Sequence, residues 1–238
     1  MGTVSHALRA LIFDFDGLIL DTEASCFAAW QALFAEHGQH YGLEDYLVIV
    51  GTTNAARDPL ALLGARTGRS HDREALRDRL RELEHARNHT LAPLPGVLDM
   101  LDQARRLGLR LAVASSSSRG WVEGHLRTQG LLDRFEVLAN RSDTLRPKPE
   151  PDIYLDALRQ LGLAADEALA IEDSYNGSLA AKRAGLRCLV VPNAITRGQD
   201  FSHADLRRDT LAGIDLAALV RQLEVGSRTP GSEAPAPL

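Results

Sequence analysis

Cysteine, lysine and long apolar runs are all scarce in this chain of 238 residues. The two cysteines, Cys26 and Cys188, lie far apart and form no CxxC pair. That excludes a disulfide framework and makes a reducing cytoplasm the expected compartment. No stretch approaches the roughly 18–20 apolar residues that span a bilayer, so no membrane helix is expected. Residues 1–14 hold only a few consecutive apolar positions, too few and too soon charged for a secretory signal. A basic excess is lacking as well: the formal net charge is −5, which argues against a nucleic-acid partner. Among the basic residues only Lys148 and Lys182 are lysines, so a lysine at a special place is not background. Histidine offers two helix-compatible pairs, His37 with His40 and His85 with His89, but no third ligand stands near either. A metal site needs three or four ligands, so both pairs read as solvated helix faces.

What is present suits a soluble protein with a sizeable core: 45% of residues are hydrophobic and 25% charged. Short apolar runs at Ala10–Phe13, Leu109–Ala114, Phe135–Ala139, Ala168–Ile171 and Cys188–Val191 read as buried strands. Helical patterns alternate with them at Val97–Leu107, Ile153–Leu161 and Ser178–Ala184, each stopped by a glycine. Strand alternating with helix implies a parallel sheet covered on both faces. Residues 21–92 differ, because they read mainly as helices. Phe27, Trp30 and Phe34 share one helix face there, and Leu76, Leu80 and Leu83 share another. The later helix carries charges of both signs, as expected for a solvated outer face. The expected fold is α/β: a Rossmann-like parallel sheet core, residues 1–20 and 93–225, with an inserted α-helical cap domain, residues 21–92. Residues 226–238 are rich in Pro, Gly, Ser and Ala and are expected to be a disordered tail.

In a parallel sheet ligands bind at the carboxyl ends of the strands, where residues from different strands converge. Three runs end in polar groups: Asp14-Phe15-Asp16-Gly17, Ser115 to Ser118, and Glu172-Asp173-Ser174. Lys148, between two prolines, follows the strand near Val137 by a loop. Two carboxylates about 4 Å apart repel by about 4 kcal/mol at an effective dielectric of 20, so four together need compensation. A hard cation with oxygen ligands provides it, and Lys148 adds a further positive charge. Asp14 and Asp16, spaced i, i+2, lie on one side of an extended segment. Asp14 then suits a nucleophile forming an aspartyl-phosphate, and Asp16 the acid and base that serves the leaving alcohol and the incoming water. Cys26 has no visible partner base and reads as a packed helix residue.

These four segments, in this order, resemble the haloacid dehalogenase superfamily, in its β-phosphoglucomutase-like branch with a helical cap. Asp14-x-Asp16-Gly17 resembles its first motif, Ser115 its second, Lys148 its third and Glu172-Asp173 its fourth. The resemblance implies a Mg²⁺-dependent phosphatase acting on a small phosphorylated metabolite, a sugar phosphate being one candidate. Asp14, Asp16, Ser115 and Lys148 are the catalytic set it implies. Mg²⁺ would sit on the side chains of Asp14 and Asp173 and the main-chain carbonyl of Asp16, with Glu172 a further candidate ligand. Ser115, Ser116 and Lys148 are expected to hold substrate in the core, and Thr52, Asn54 and Arg57 in the cap, where specificity is expected to lie. The alternative is a sugar-phosphate mutase. The resembling mutases carry a histidine where this chain has Cys26, and a Gly-x-Ser-Arg loop where it reads Gly51-Thr52-Thr53-Asn54. A dehalogenase proper has no use for Asp16, and a non-catalytic binding protein would not need every catalytic position filled. The expected assembly is a monomer or weak homodimer, with neither nucleic acid nor membrane as partner.

Overall fold

Six parallel strands in the order β3-β2-β1-β4-β5-β6 form the sheet of the computed structural model. The structure describes residues 8–50, 58–88, 91–142 and 145–226. The strands are β1 (Ala10–Phe13), β2 (Arg110–Ser118), β3 (Val137–Arg141), β4 (Ala168–Glu172), β5 (Arg187–Val190) and β6 (Leu206–Arg207). Alternation along the strands sorts the core into two clusters. Leu11, Phe13, Val113, Leu169 and Ile171 face one side, packed with α5 (Val97–Arg106), α6 (Arg119–Thr128) and α9 (Leu216–Gly226). Ala10, Ile12, Ala112, Ala114, Ala168 and Ala170 face the other, against α7 (Asp152–Leu161) and α8 (Tyr175–Arg183). Fully burying a Leu, Ile or Phe contributes about 1.5–3 kcal/mol. The alanines contribute less, but their small size lets α7 and α8 lie close to the strands.

Between β1 and α5 lie α1 (Thr22–Glu36), α2 (Leu43–Leu47), α3 (Pro59–Thr67) and α4 (Arg73–Asn88). They share a cluster of their own, in which Leu33, Phe34, Tyr41 and Leu63 are buried. Phe27, Trp30 and Phe34 join it from one face of α1, and Leu76, Leu80 and Leu83 from α4. Asp21 caps α1 by accepting from the Ala24 N–H, and Asp58 caps α3 by accepting from the Leu60 N–H. Leu20 and Pro93 form an antiparallel bridge where the chain leaves and rejoins the sheet region.

Several boundaries differ from the sequence reading. The serine run, placed beyond the strand Leu109–Ala114 by the sequence, is the end of β2; a register shift between Ser115 and Ser118 accommodates it beside β3. Helix α8 begins at Tyr175 because Ser174 caps it, three residues before the apolar pattern starts. Gly226, placed in the tail, ends α9, and residues 227–238 lie outside the described residues. His37 caps α1 and His40 lies beyond it, so that pair shares no helix face; His37 meets the His71 ring edge-on instead.

Candidate active site

Asp14 and Glu172 continue the even rows of β1 and β4, which face α7. That parity places both beside Lys148, which the loop before α7 brings beneath them. The Lys148 Nζ donates to Asp14 Oδ1 and to Glu172 Oε1, both at 2.6 Å. Lys148 is 1% exposed and Glu172 0%. The Tyr154 hydroxyl, from α7, donates to the same Glu172 Oε1 at 2.7 Å. Glu172 Oε2 accepts from the Asp173 N–H at 3.2 Å and from the Ser174 hydroxyl at 3.3 Å. Both oxygens of Glu172 are therefore engaged. Gly177 makes room for it: a Cβ at that position would stand 2.1 Å from each carboxylate oxygen. Asp173 accepts from the Asn193 side-chain amide at 2.7 Å, and the same amide reaches the Gly17 carbonyl at 3.0 Å.

Asp16 has different company. It accepts from the Thr22 hydroxyl at 2.8 Å, the Ser117 hydroxyl at 2.6 Å, the Trp121 indole N–H at 2.9 Å and the Ser115 hydroxyl at 3.3 Å. Asp14, Asp16, Ser115, Ser116 and Lys148 line one cavity of about 350 Å³. The sequence placed these five at one edge of the sheet, and here they line one cavity. Ser117, not among the expected site residues, also lines the cavity, and Ser118 caps α6 by accepting from the Trp121 N–H.

The electrostatics of this cluster favour a cation. Oxygens of Asp14, Glu172 and Asp173 all lie within 4.8 Å of one another, which at an effective dielectric of 20 means repulsion of roughly 3–4 kcal/mol per pair. One ammonium faces three carboxylates, leaving a formal −2. Burial pushes the Asp14 pKa up to about 8, the nearby Glu172 and Asp16 carboxylates adding to this and Lys148 opposing it. Burial also pushes the Asp173 carboxyl well up, helped by Asp14 and Glu172. For Lys148, burial works against the charge, but Asp14 and Glu172 outweigh it and hold the ammonium firmly protonated. A site of oxygen donors that crowds carboxylates until they favour protons suits a hard divalent cation, which would restore their charge.

The share of the cavity lining that comes from residues 23–84 was not legible in the sequence. Glu23, Cys26 and Trp30, at helical spacing on α1, line the cavity with Tyr46, Ile49 and Glu84. The Tyr46 hydroxyl donates to Glu23 at 2.5 Å, and the Cys26 thiol to Glu84. Burial raises the Glu23 pKa to about 8 and pushes the Cys26 thiol well up, toward its neutral form; Cys26, read as a packed helix residue, lines the cavity. Trp121, Tyr154 and Asn193 were missed too. The composition did hold one signal: both tryptophans of the chain line this cavity. The cap candidates Thr52, Asn54 and Arg57 lie outside the described residues.

Fold and site together define an enzyme with an aspartate-centred acidic site at the carboxyl edge of a parallel α/β core. Residues 11–191 match the haloacid dehalogenase-like hydrolase family. The Bacillus subtilis protein YhcW is 42% identical over 91% of this chain and 98% of its own length. Two solved structures of CbbY from Rhodobacter sphaeroides, one in complex with phosphate and one a mutant with xylulose-(1,5)bisphosphate, each give a TM-score of 0.72. Each is 33% identical and covers 89% of this chain and 99% of its own. A phosphorylated carbohydrates phosphatase of Thermotoga maritima is 29% identical over 75% of this chain and 82% of its own. The chain belongs to the haloacid dehalogenase-like hydrolases. With phosphatases among its relatives, it is a phosphoric monoester hydrolase of that family.

Proposed function

We propose that the chain is a Mg²⁺-dependent phosphatase of the cytoplasm that hydrolyses a small phosphorylated metabolite, a sugar phosphate foremost, through an aspartyl-phosphate on Asp14. The observation that carries this reading is the buried Lys148 clamped between Asp14 and Glu172, with Asp173 beside them and Asp16 on the same cavity. A carboxylate oxygen of Asp14 bonds to phosphorus while the ester oxygen leaves with a proton from Asp16. Asp16 then takes a proton from water, whose oxygen attacks the same phosphorus, releasing inorganic phosphate and restoring Asp14. Lys148 and the hydroxyls of Ser115 and Ser116 hold the phosphoryl oxygens, Ser115 turning from Asp16 to do so. Mg²⁺ would be held by the side chains of Asp14 and Asp173 and the carbonyl of Asp16, and would neutralise phosphoryl charge. Glu172, with both oxygens engaged, acts through Lys148 and not as a direct ligand. Residues 21–92 serve as the cap, with Thr52, Asn54 and Arg57 as substrate contacts.

Hydrolysis is favoured over the mutase reading by Cys26, whose protonated thiol lines the cavity where the resembling mutases carry a histidine. The test is a screen of phosphorylated metabolites for phosphate release, with and without chelator. Release should stop on chelation and return with Mg²⁺ but poorly with Ca²⁺, which prefers more ligands at longer distances. Full activity in chelator, with no metal found by elemental analysis, would overturn the Mg²⁺ reading. Glucose 1-phosphate isomerised faster than phosphate is released would restore the mutase.

A further inference from the structure

The four donors that hold Asp16 are not alike. The Thr22 hydroxyl and the Trp121 indole N–H both reach Oδ1, at 2.8 and 2.9 Å. The Ser117 and Ser115 hydroxyls both reach Oδ2, at 2.6 and 3.3 Å. A hydroxyl donates or accepts as its rotor turns, whereas an indole N–H only donates. Of the four, Trp121 alone cannot turn to accept from Asp16. The fold also fixes where it stands. Ser118 ends β2 and caps α6, so Trp121 sits in the first turn of that helix. His125, one turn later, meets the indole edge-on at 4.4 Å between ring centroids, and the Phe15 ring lies 6.1 Å from that of His125. An indole packed in this way is a donor at a set place.

We propose that Trp121 is a positioning residue: its indole N–H commits Asp16 Oδ1 as an acceptor and leaves Oδ2 as the oxygen that exchanges protons with the leaving alcohol and with water. This rests on the phosphatase reading above, with Asp16 as acid and base, and carries it to the single atom. Oδ2 faces the serines that end β2. In that reading Ser115 turns from Asp16 to a phosphoryl oxygen, which opens a position on Oδ2 where the ester oxygen arrives. The proton on Oδ2 passes to the ester oxygen as its bond to phosphorus breaks. Oδ2 then takes a proton from the water whose oxygen attacks the phosphorus of the aspartyl-phosphate. The Ser117 hydroxyl follows both changes by turning its rotor. Trp121 donates to Oδ1 throughout, so the carboxyl plane keeps its aim between the two transfers, and aim is what a positioned acid contributes.

Two aryl esters, p-nitrophenyl phosphate and phenyl phosphate, test this on the Mg²⁺-loaded full chain. p-Nitrophenolate departs readily without a proton, phenolate far less so, and kcat/KM reports the steps up to that departure. Both esters present the same ring, so any contact it makes with Trp121 cancels in their ratio. Trp121→Phe removes the N–H and keeps a flat ring against His125; Trp121→Leu removes both and is read in the same way. Each should lower kcat/KM about tenfold more for phenyl phosphate than for p-nitrophenyl phosphate, the worth of one hydrogen bond to a charged group. The loss should fall on kcat and not on KM, because Lys148 and Ser115 still hold the phosphoryl group. In an Asp16→Asn background Trp121→Phe should widen the ratio by less than about twofold, since the N–H then has no acid to aim. Melting curves certify that the variants fold. A ratio unchanged by loss of the N–H, or widened as much without Asp16 as with it, would overturn the proposal. Absence of phosphate release from both esters by the wild type would instead strike the phosphatase reading on which it rests.

Discussion

The two walls of the cavity carry the same kind of charge and treat it differently. On the core wall, Asp14, Glu172 and Asp173 are met by the Lys148 ammonium, the Tyr154 hydroxyl and the main-chain N–H of Asp173. On the cap wall, Glu23 and Glu84 are met by a phenol and a thiol. The first set is balanced by a buried cation of the protein's own; among the described residues that line the cavity, the second set has none.

Breaking the core wall should have the largest effect. Asp14→Asn should lower turnover by roughly 10³-fold or more with the fold intact, as loss of a nucleophile does; near-normal phosphate release from the purified variant would sink the mechanism. Lys148→Met strands Asp14 and Glu172 as uncompensated buried acids and should cost about 3–5 kcal/mol of stability, read by urea unfolding. An unchanged midpoint would show that the clamp is not what holds this wall together. Asp16→Asn should slow turnover by at least about 10²-fold, the usual worth of acid–base catalysis, with a changed pH–rate profile as its signature.

The smallest effect sharpens the comparison through pH. Burial raises Asp14 from its ordinary 3.8, and Glu23 from 4.5, each to about 8. The folded protein therefore keeps protons that the unfolded chain releases, and metal-free stability should fall as pH rises between about 4 and 8. Mg²⁺ should restore the core wall alone, so its stabilising effect should be greater near pH 8 than near pH 6. Calorimetry in chelator and in Mg²⁺ at both values checks this, and a metal-free melting temperature that climbs with pH over that window contradicts it.

The sheet and the core wall were legible because they obey local rules. Ala10–Phe13 and Ala168–Glu172 are apolar runs ending in acids, and Lys148 stands out as one of two lysines. Strand β6 was not legible because two residues form no pattern. Nor was the full length of β2, since four serines imitate a turn until β3 supplies their partners. The cap wall failed for another reason. Glu23, Cys26 and Trp30 do recur at helical spacing, but helix packing turned that face toward the cavity, and Glu84 reaches it from a helix some sixty residues later. Tyr154 looked like one more buried residue of α7; its hydroxyl matters only because parity places Glu172 above it.

The bare backbone of Gly177 leaves the reaction hostage to a position that touches no substrate. A single methyl there collides with the Glu172 carboxylate, and Glu172 is what Lys148 leans on to reach Asp14. The disturbance would travel from helix to Glu172 to Lys148 to Asp14 without any of the four residues proposed as catalytic being altered. A survey of tolerated substitutions that watched only the cavity lining would overlook this position, where an added Cβ has no room.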